Sequence, residues 1–537
     1  MSNNRPNARR DAMKTEGTTA TASSGAMGHR QVLESLSGLL LALLVAMISS
    51  TVVSTALPLI IGSLNGTQTQ YTWVVTATLL AATATTPIWG KLADLFNKKT
   101  LVQVAIVIFV IGSMISGFSQ NTGQLIAARA FQGIGVGGLQ ALVQVVIAAI
   151  IPPRERGRYN GYLGAVMAVA TVGGPLLGGL IVDVPWLGWR WCFFVGVPIA
   201  VAAFIVLQRT LKLETVRREN VQVDYLGAGL IAAGVSVLLI WVSFVGNTFD
   251  WLSWQTAVMV AGGVVLLVLA VLVERKVREP VVPLHIVTQR TPALAIIASL
   301  AVGMAMFGGA VFLGQYFQIG RGYSPTEAGL LTIPLMAGVL VSSTVSGRLI
   351  SRTGRIKPYI VAGTIILVAG FLGLGMVDHA SPLWLVGIAM AVVGIGVGMT
   401  MQNLVLAVQN TVPLRDLGAA SASVTFFRSL GGTIGVSVLG AVLANRVTAD
   451  LSTALHVPEG QASTGSVSAL NLKALPPEVQ TIVHTVYGDA TAHIFLISAA
   501  VGVVGVLAAL LLKPLTLRTT LDVEPKTEAP ASDAVAG

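Results

Sequence analysis

Apolar runs of more than 18 residues recur along this chain from Leu36 to Leu512, and they constrain its fold more than any other feature. Each is long enough to cross a hydrocarbon core of about 30 Å as an α-helix. A segment facing lipid must satisfy its own backbone hydrogen bonds, which leaves helices or a closed barrel. Ten-residue stretches of alternating hydropathy are absent, so the expected class is an all-α polytopic membrane protein. Composition agrees: 10% of the 537 residues are charged and the mean hydropathy is +0.79. A soluble domain needs more charge outside. The single cysteine, Cys192, excludes a disulfide framework and a cysteine metal cluster.

Fourteen spans follow, at 36–62, 71–90, 100–119, 124–150, 159–182, 190–210, 224–245, 253–273, 293–317, 327–349, 359–377, 383–408, 418–445 and 490–512. Charge tests the map. With the N-terminus inside, cytoplasmic segments hold 27 of the 33 Lys and Arg, and only Arg321, Arg446 and Lys473 fall outside. That asymmetry fits the positive-inside rule and puts both termini in the cytoplasm. The net charge of +10 therefore reads as topology and contact with anionic membrane lipids, not as a nucleic-acid footprint. The polar tails at 1–35 and 513–537 are expected to be disordered, and the Ser- and Ala-rich segment 446–489 is expected to be an extracellular loop.

The chain echoes itself. Gly90-Lys91-Leu92-Ala93-Asp94 follows the second span, and Gly347-Arg348-Leu349-Ile350-Ser351 follows the tenth. Eight spans separate them, so two six-span halves with two extra spans between them explain the count. The division is then 36–210, 211–292 and 293–512. Repeated halves are a common basis for alternating access.

Several segments carry a resemblance. Gly90 to Lys99 is similar to a cytoplasmic signature with a Gly-x-Leu-Ala-Asp start and a basic pair, here Lys98 and Lys99. Arg129 sits in Ala127-Ala128-Arg129-Ala130-Phe131-Gln132-Gly133. Gly164 precedes Gly173-Gly174-Pro175-Leu176-Leu177-Gly178-Gly179. Trp189-Arg190-Trp191 precedes Phe193-Phe194, and Phe426-Phe427-Arg428 precedes Gly431-Gly432. Together these resemble the major facilitator superfamily, in particular its fourteen-span drug:proton antiporter branch, over roughly 36–512. The resemblance implies a major-facilitator fold with two six-helix bundles plus two additional spans, and a monomer in a bacterial plasma membrane. It further implies gating or proton coupling by Asp94, Lys98, Lys99, Arg129, Arg348 and Arg428, with bending at the 173–179 glycine cluster. In this pattern Asn97 replaces the usual glycine and is expected to keep the turn by tolerating a left-handed backbone.

One departure matters. Ser49 holds the position where the branch often carries an acid, and no Asp or Glu lies well inside any span. The usual mid-membrane carboxylate relay is missing, so coupling falls to carboxylates nearer the surfaces, Asp94 first, or to water chains, and dicationic substrates lose their partner. Polar residues inside spans have two readings each. Gln132, Gln140 and Gln144 either line a cavity or bind helices together, as do Gln402 and Asn403, and Ser49 is placed with the cavity candidates. Tyr316 with Gln315 is the best aromatic candidate for a substrate cavity. Arg129 is either a coupling residue or a structural clamp. Gln409 and Asn410 read as an inner-end cap.

Walker, HExxH and GxSxG motifs are absent and the histidines lack metal spacing, so neither an enzyme nor a cofactor is expected. The expected function is efflux of hydrophobic or amphiphilic small molecules with protons as coupling ion. A lipid or envelope-precursor exporter, an uncoupled facilitator, and a membrane scaffold or receptor remain as alternatives.

Overall fold

The computed structural model describes residues 29–65, 68–184, 186–211, 224–245, 249–277, 279–455 and 476–519. Most of the expected tails, and 456–475 of the expected loop, lie outside the described residues. The first half comprises α1 (His29–Ser63), α2 (Gln68–Leu95), α3 (Lys98–Phe118), α4 (Thr122–Ile150), α5 (Pro153–Asp183), α6 (Trp191–Phe194) and α7 (Gly196–Thr210), the last two forming one span. Next come α8 (Tyr225–Phe244), α9 (Trp254–Glu274) and the short α10 (Leu284–Val287). The second half comprises α11 (Arg290–Gln315), α12 (Pro325–Leu331) and α13 (Ile333–Thr353), then α14 (Lys357–Leu374), α15 (Leu383–Gln409), α16 (Leu417–Leu455) and α17 (Pro477–Leu511). Among the described residues, pairing outside helices is limited to two isolated bridges, Val245 with Phe249 and Arg355 with Thr516.

Short polar residues start the helices where the chain leaves an apolar run. Asn121, Asp224 and Ser253 each cap the helix that follows through a side-chain oxygen, satisfying an N–H that the helix cannot. Ser324 and Glu327 form a full capping box. Asn97 caps α3 by accepting from Lys99 N–H and Thr100 N–H at φ −62°. The expected left-handed turn is therefore absent there. It falls at Gly354, the equivalent position of the second half, at φ +70°.

Thirteen helices among the described residues are long and apolar enough to cross a membrane, against fourteen expected. The difference is α2, whose 28 residues have the length but include many threonines and Pro87. It can afford them because it packs between α4 and α16 inside the bundle. The helices also outrun the expected boundaries. α1 begins at His29, within the expected tail; α16 continues to Leu455 and α17 starts at Pro477, both within the expected loop.

Each half has its own apolar core. Leu39, Phe109 and Leu142 anchor the first, and Phe371, Met390 and Ile494 the second. The extra helices do not stand apart. Ile231, Val235 and Leu239 of α8 pack with Phe426 of α16 and with Leu80 and Ile88 of α2, and Trp73 of α2 stacks on Phe244 at 4.8 Å. The α8–α9 pair thus covers the groove where α2 meets α16.

Candidate functional site

Most Lys and Arg of the connecting segments lie at one end of the bundle, called here the basic end. Two seams join the halves there. In the first, Asp94 at the end of α2 accepts the backbone N–H of Gly418 at 2.7 Å and of Ala419 at 2.8 Å. These N–H groups open α16, have no partner within the helix, and sit at its positive dipole end. Gly90 and Gly418 let the backbones touch: a methyl group on Gly418 would lie 2.6 Å from Asp94 Oδ1 and overlap the Gly90 carbonyl oxygen. The second seam repeats the first. Gly347 of α13 meets Gly157 of α5 so closely that a methyl group on either would overlap the other's carbonyl oxygen. Ser351 stands where Asp94 stands in the first seam, its hydroxyl buried and unpartnered among the described residues.

Further bonds lock this end. Arg154 donates to the carbonyls of Ser351 and Arg352, each at 3.2 Å, at the end of α13. Arg156, buried, donates to Gln409 Oε1 of α15 at 2.9 Å and to the carbonyls of Ile151 and Ala148. Gln409 in turn donates to Ser421 Oγ of α16 at 2.9 Å. Asn410 donates to the Thr516 carbonyl and accepts from Arg518 N–H, both at 3.0 Å. The Arg518 carbonyl accepts from Arg154 N–H at 3.1 Å and Leu517 N–H donates to the Gly354 carbonyl at 2.8 Å. Residues 516–518 thereby tie α5, α13 and α15 together. Lys91 pairs with Glu279, and the buried Glu274 carboxylate accepts from Val281 N–H and Val282 N–H, so the strand of chain after α9 is bound to the first seam.

Toward the middle, Gln144 of α4 donates to Gln402 Oε1 of α15 at 2.8 Å, a bond between the halves. Gln140 shares the face of Gln144 at i,i+4 spacing. Asn403 points elsewhere, donating to its own helix at Met399 O, 2.7 Å away. Arg129 donates to Gln132 and, at 3.5 Å, to the Val74 carbonyl. Gln132 donates to Ser113 Oγ at 2.6 Å and to Ser49 Oγ at 3.3 Å. Ser49, Arg129 and Gln132 are thus parts of one buried network joining α1, α2, α3 and α4 inside the first half. The cavity reading of Ser49 and Gln132 gives way to the helix-binding one.

Arg428 of α16 differs from Arg129. It is 7% exposed, and its Nη1 has no hydrogen-bond partner among the described residues. Tyr316, expected near a cavity, belongs to the opposite end. Its hydroxyl donates to the Asp378 carbonyl and accepts from Arg321 Nε, both at 2.9 Å, while Gln315 accepts from Tyr487 at 2.8 Å. Hydrogen bonding by the Ser381 hydroxyl holds the Asp378 carboxyl below its usual range. This is a structural knot of the second half.

Of the other expected gating residues, Lys98 lies close enough to Asp94 to act on it electrostatically. Lys99 is turned away, donating to the Gln208 carbonyl at 2.8 Å, and Arg348 is exposed. On α5, Gly164 faces the Ser343 hydroxyl, Gly174 faces Thr51, and Pro175 lies where a methyl group on Gly329 would touch it. Gly179 faces the Thr326 hydroxyl, whereas Gly173 faces open space, and Gly178 is buried. The glycine helix therefore runs along the second seam from Gly157 to Gly179.

Sequence reading missed Gly157, Gly418, Arg154 and Arg156. A signal was present: Arg154-Glu155-Arg156-Gly157 and Arg415-Asp416-Leu417-Gly418 share an Arg, an acid and a glycine at the same spacing, each at a helix start.

A helical body of two related halves that spans a membrane and interlocks at paired glycine seams is the architecture of a membrane transporter. A family model described as Major Facilitator Superfamily matches residues 39–436, and the chain belongs to that superfamily. It is 36% identical over 480 residues to an uncharacterized MFS-type transporter of Mycobacterium tuberculosis, covering 89% of this chain and 69% of the relative. It is 34% identical to the multidrug transporter protein MdtP of Bacillus subtilis, over 76% of this chain and 75% of that one. The crystal structure of the human organic anion transporter MFSD10 (TETRAN) superposes with a TM-score of 0.60 at 13% identity, over 90% of this chain and 99% of that one. That likeness concerns the fold alone.

Proposed function

We propose that this protein exports hydrophobic or amphiphilic drugs from the cytoplasm or inner leaflet by alternating access, exchanging them for protons. It would do so as a monomer in a bacterial plasma membrane, with the basic end and both termini in the cytoplasm. The observation that carries the reading is the Asp94 clasp on the first turn of α16. It joins the halves only when the basic end is shut, and it depends on a carboxylate. Two N–H groups facing one ionised carboxylate make charge-assisted bonds, about twice as strong as neutral ones. A proton on Asp94 removes that charge and weakens both bonds, so proton arrival favours opening of this end. Names of relatives such as a multidrug transporter and an efflux pump support drugs as cargo.

The test is transport in proteoliposomes with an imposed pH gradient, using a neutral lipophilic dye. Dye movement that follows the gradient and is lost in Asp94→Asn supports the reading. Movement indifferent to both the gradient and the substitution overturns proton coupling at Asp94.

A further inference from the structure

Among the described residues, the interior of the second half contains a cation without a counter-charge. Arg428 lies 11 residues into α16, with its Nη1 buried and unpartnered among the described residues. Taking a guanidinium out of water costs several kcal/mol unless other groups repay it. Arg129 offsets that cost with Gln132 and a carbonyl; Arg428 has no such set among the described residues. Its backbone is held firmly, because Gly303 of α11 brings that helix against the Arg428 carbonyl, where a methyl group would overlap it.

The depth of Arg428 follows from one contact. Gln409 of α15 meets Ser421 of α16 at 2.9 Å. The two helices run in opposite directions, and seven residues along each, about 10.5 Å at 1.5 Å per residue, lie Gln402 and Arg428. Seven residues also return each helix to nearly the same face. Gln402 is the residue that Gln144 reaches across the halves. A bare guanidinium and two carboxamides from both halves thus share one depth, and no acidic residue lies well inside a span.

We propose that Arg428, with Gln144 and Gln402, binds the anionic group of a substrate, so that the preferred cargo is an amphiphile with a carboxylate or similar oxyanion on an apolar body. An oxyanion matches the planar donor fork of arginine, and the carboxamides supply further donors. The Gln144–Gln402 bond is then exchanged for bonds to the ligand. This inference rests on the export reading above and names the chemistry of its cargo.

Three dansyl probes with one apolar body test it: anionic dansylglycine, its neutral methyl ester, and cationic dansyl-ethylenediamine. Binding is read by fluorescence with the full chain in phosphatidylcholine nanodiscs, with empty discs subtracted. The expected order is anion first, at least tenfold tighter than the ester, and cation last. Arg428→Gln should remove the preference and Arg428→Lys restore part of it. Equal binding of anion and ester by the unaltered protein overturns the proposal, even if neither variant folds. So does a preference that survives in Arg428→Gln. Transport separates the two readings. An exported ester with no anion preference sinks the Arg428 assignment and leaves export standing. Tight anion binding without export of any probe supports the site and sinks export.

Discussion

Asp94 and Arg129 show how the same depth of burial serves two ends. Asp94 spends its charge on backbone donors of the opposite half, so its loss is felt as a change of conformation. Asparagine keeps one acceptor oxygen and turns an NH₂ toward the second N–H. Losing a hydrogen bond to a charged group costs about 1.5–3 kcal/mol, which predicts a shift of about 10- to 100-fold away from the shut basic end. Spin labels at Phe96→Cys and Arg415→Cys, both exposed on either side of the first seam, should show a longer distance in Asp94→Asn. The one natural cysteine, Cys192, is buried and is replaced first. Arg129 spends its charge within the first half. Gln132→Leu leaves that guanidinium short of its main partner and strands the Ser113 and Ser49 hydroxyls. Losing a hydrogen bond to a buried charged group costs about 1.5–3 kcal/mol, so the thermal unfolding midpoint in detergent should fall. Replacing Arg129 and Gln132 together by Met and Leu should cost less than Gln132→Leu alone.

At the scale of elements, glycines let the helices close at the seams, and side chains such as Asp94 and Arg154 then lock them. Gly347→Val has no room against Gly157, whereas Gly173→Ala meets open space. The first should lower transport at least tenfold with the protein still assembled in the membrane, and the second should leave it near normal; initial rates in proteoliposomes compare them. The segment 516–518 is the other device at this end. Truncation after Leu515 removes its bonds to Asn410, Arg154 and Gly354 and should raise the open fraction in the same spin-label assay. Much of this was legible in the chain. The Gly90 and Gly347 echo marked both seams because a repeated half must repeat its close contacts. Gln144 and Gln402 stood out because a polar side chain in an apolar helix needs a partner. What pattern could not supply was the identity of each partner. Ser49 and Gln132 looked like cavity residues because spacing gives a face, not the helix opposite it. Tyr316 misled for a related reason: a buried aromatic at a helix end reads alike whether it meets a substrate or, as here, an arginine and a carbonyl. The C-terminal segment lacks any apolar period and so left no trace.

For the molecule as a whole, the extra helices change its symmetry. Two halves related by repetition present two equivalent grooves to the surrounding membrane, one beside α2 and α16 and one beside α5 and α13. Here α8 lies over the first, with its apolar face on Leu80, Ile88 and Phe426, and the Lys91–Glu279 pair pins the following strand of chain beside it. The second groove has no such cover among the described residues. The two flanks of the molecule are therefore unequal toward lipid. A photoreactive fatty-acid analogue should label α5 and α13 near Tyr162 and Val345, both exposed, and spare the α2–α16 face. Comparable labelling of both faces would show that α8 swings aside in the bilayer, making it a door leaf instead of a wall.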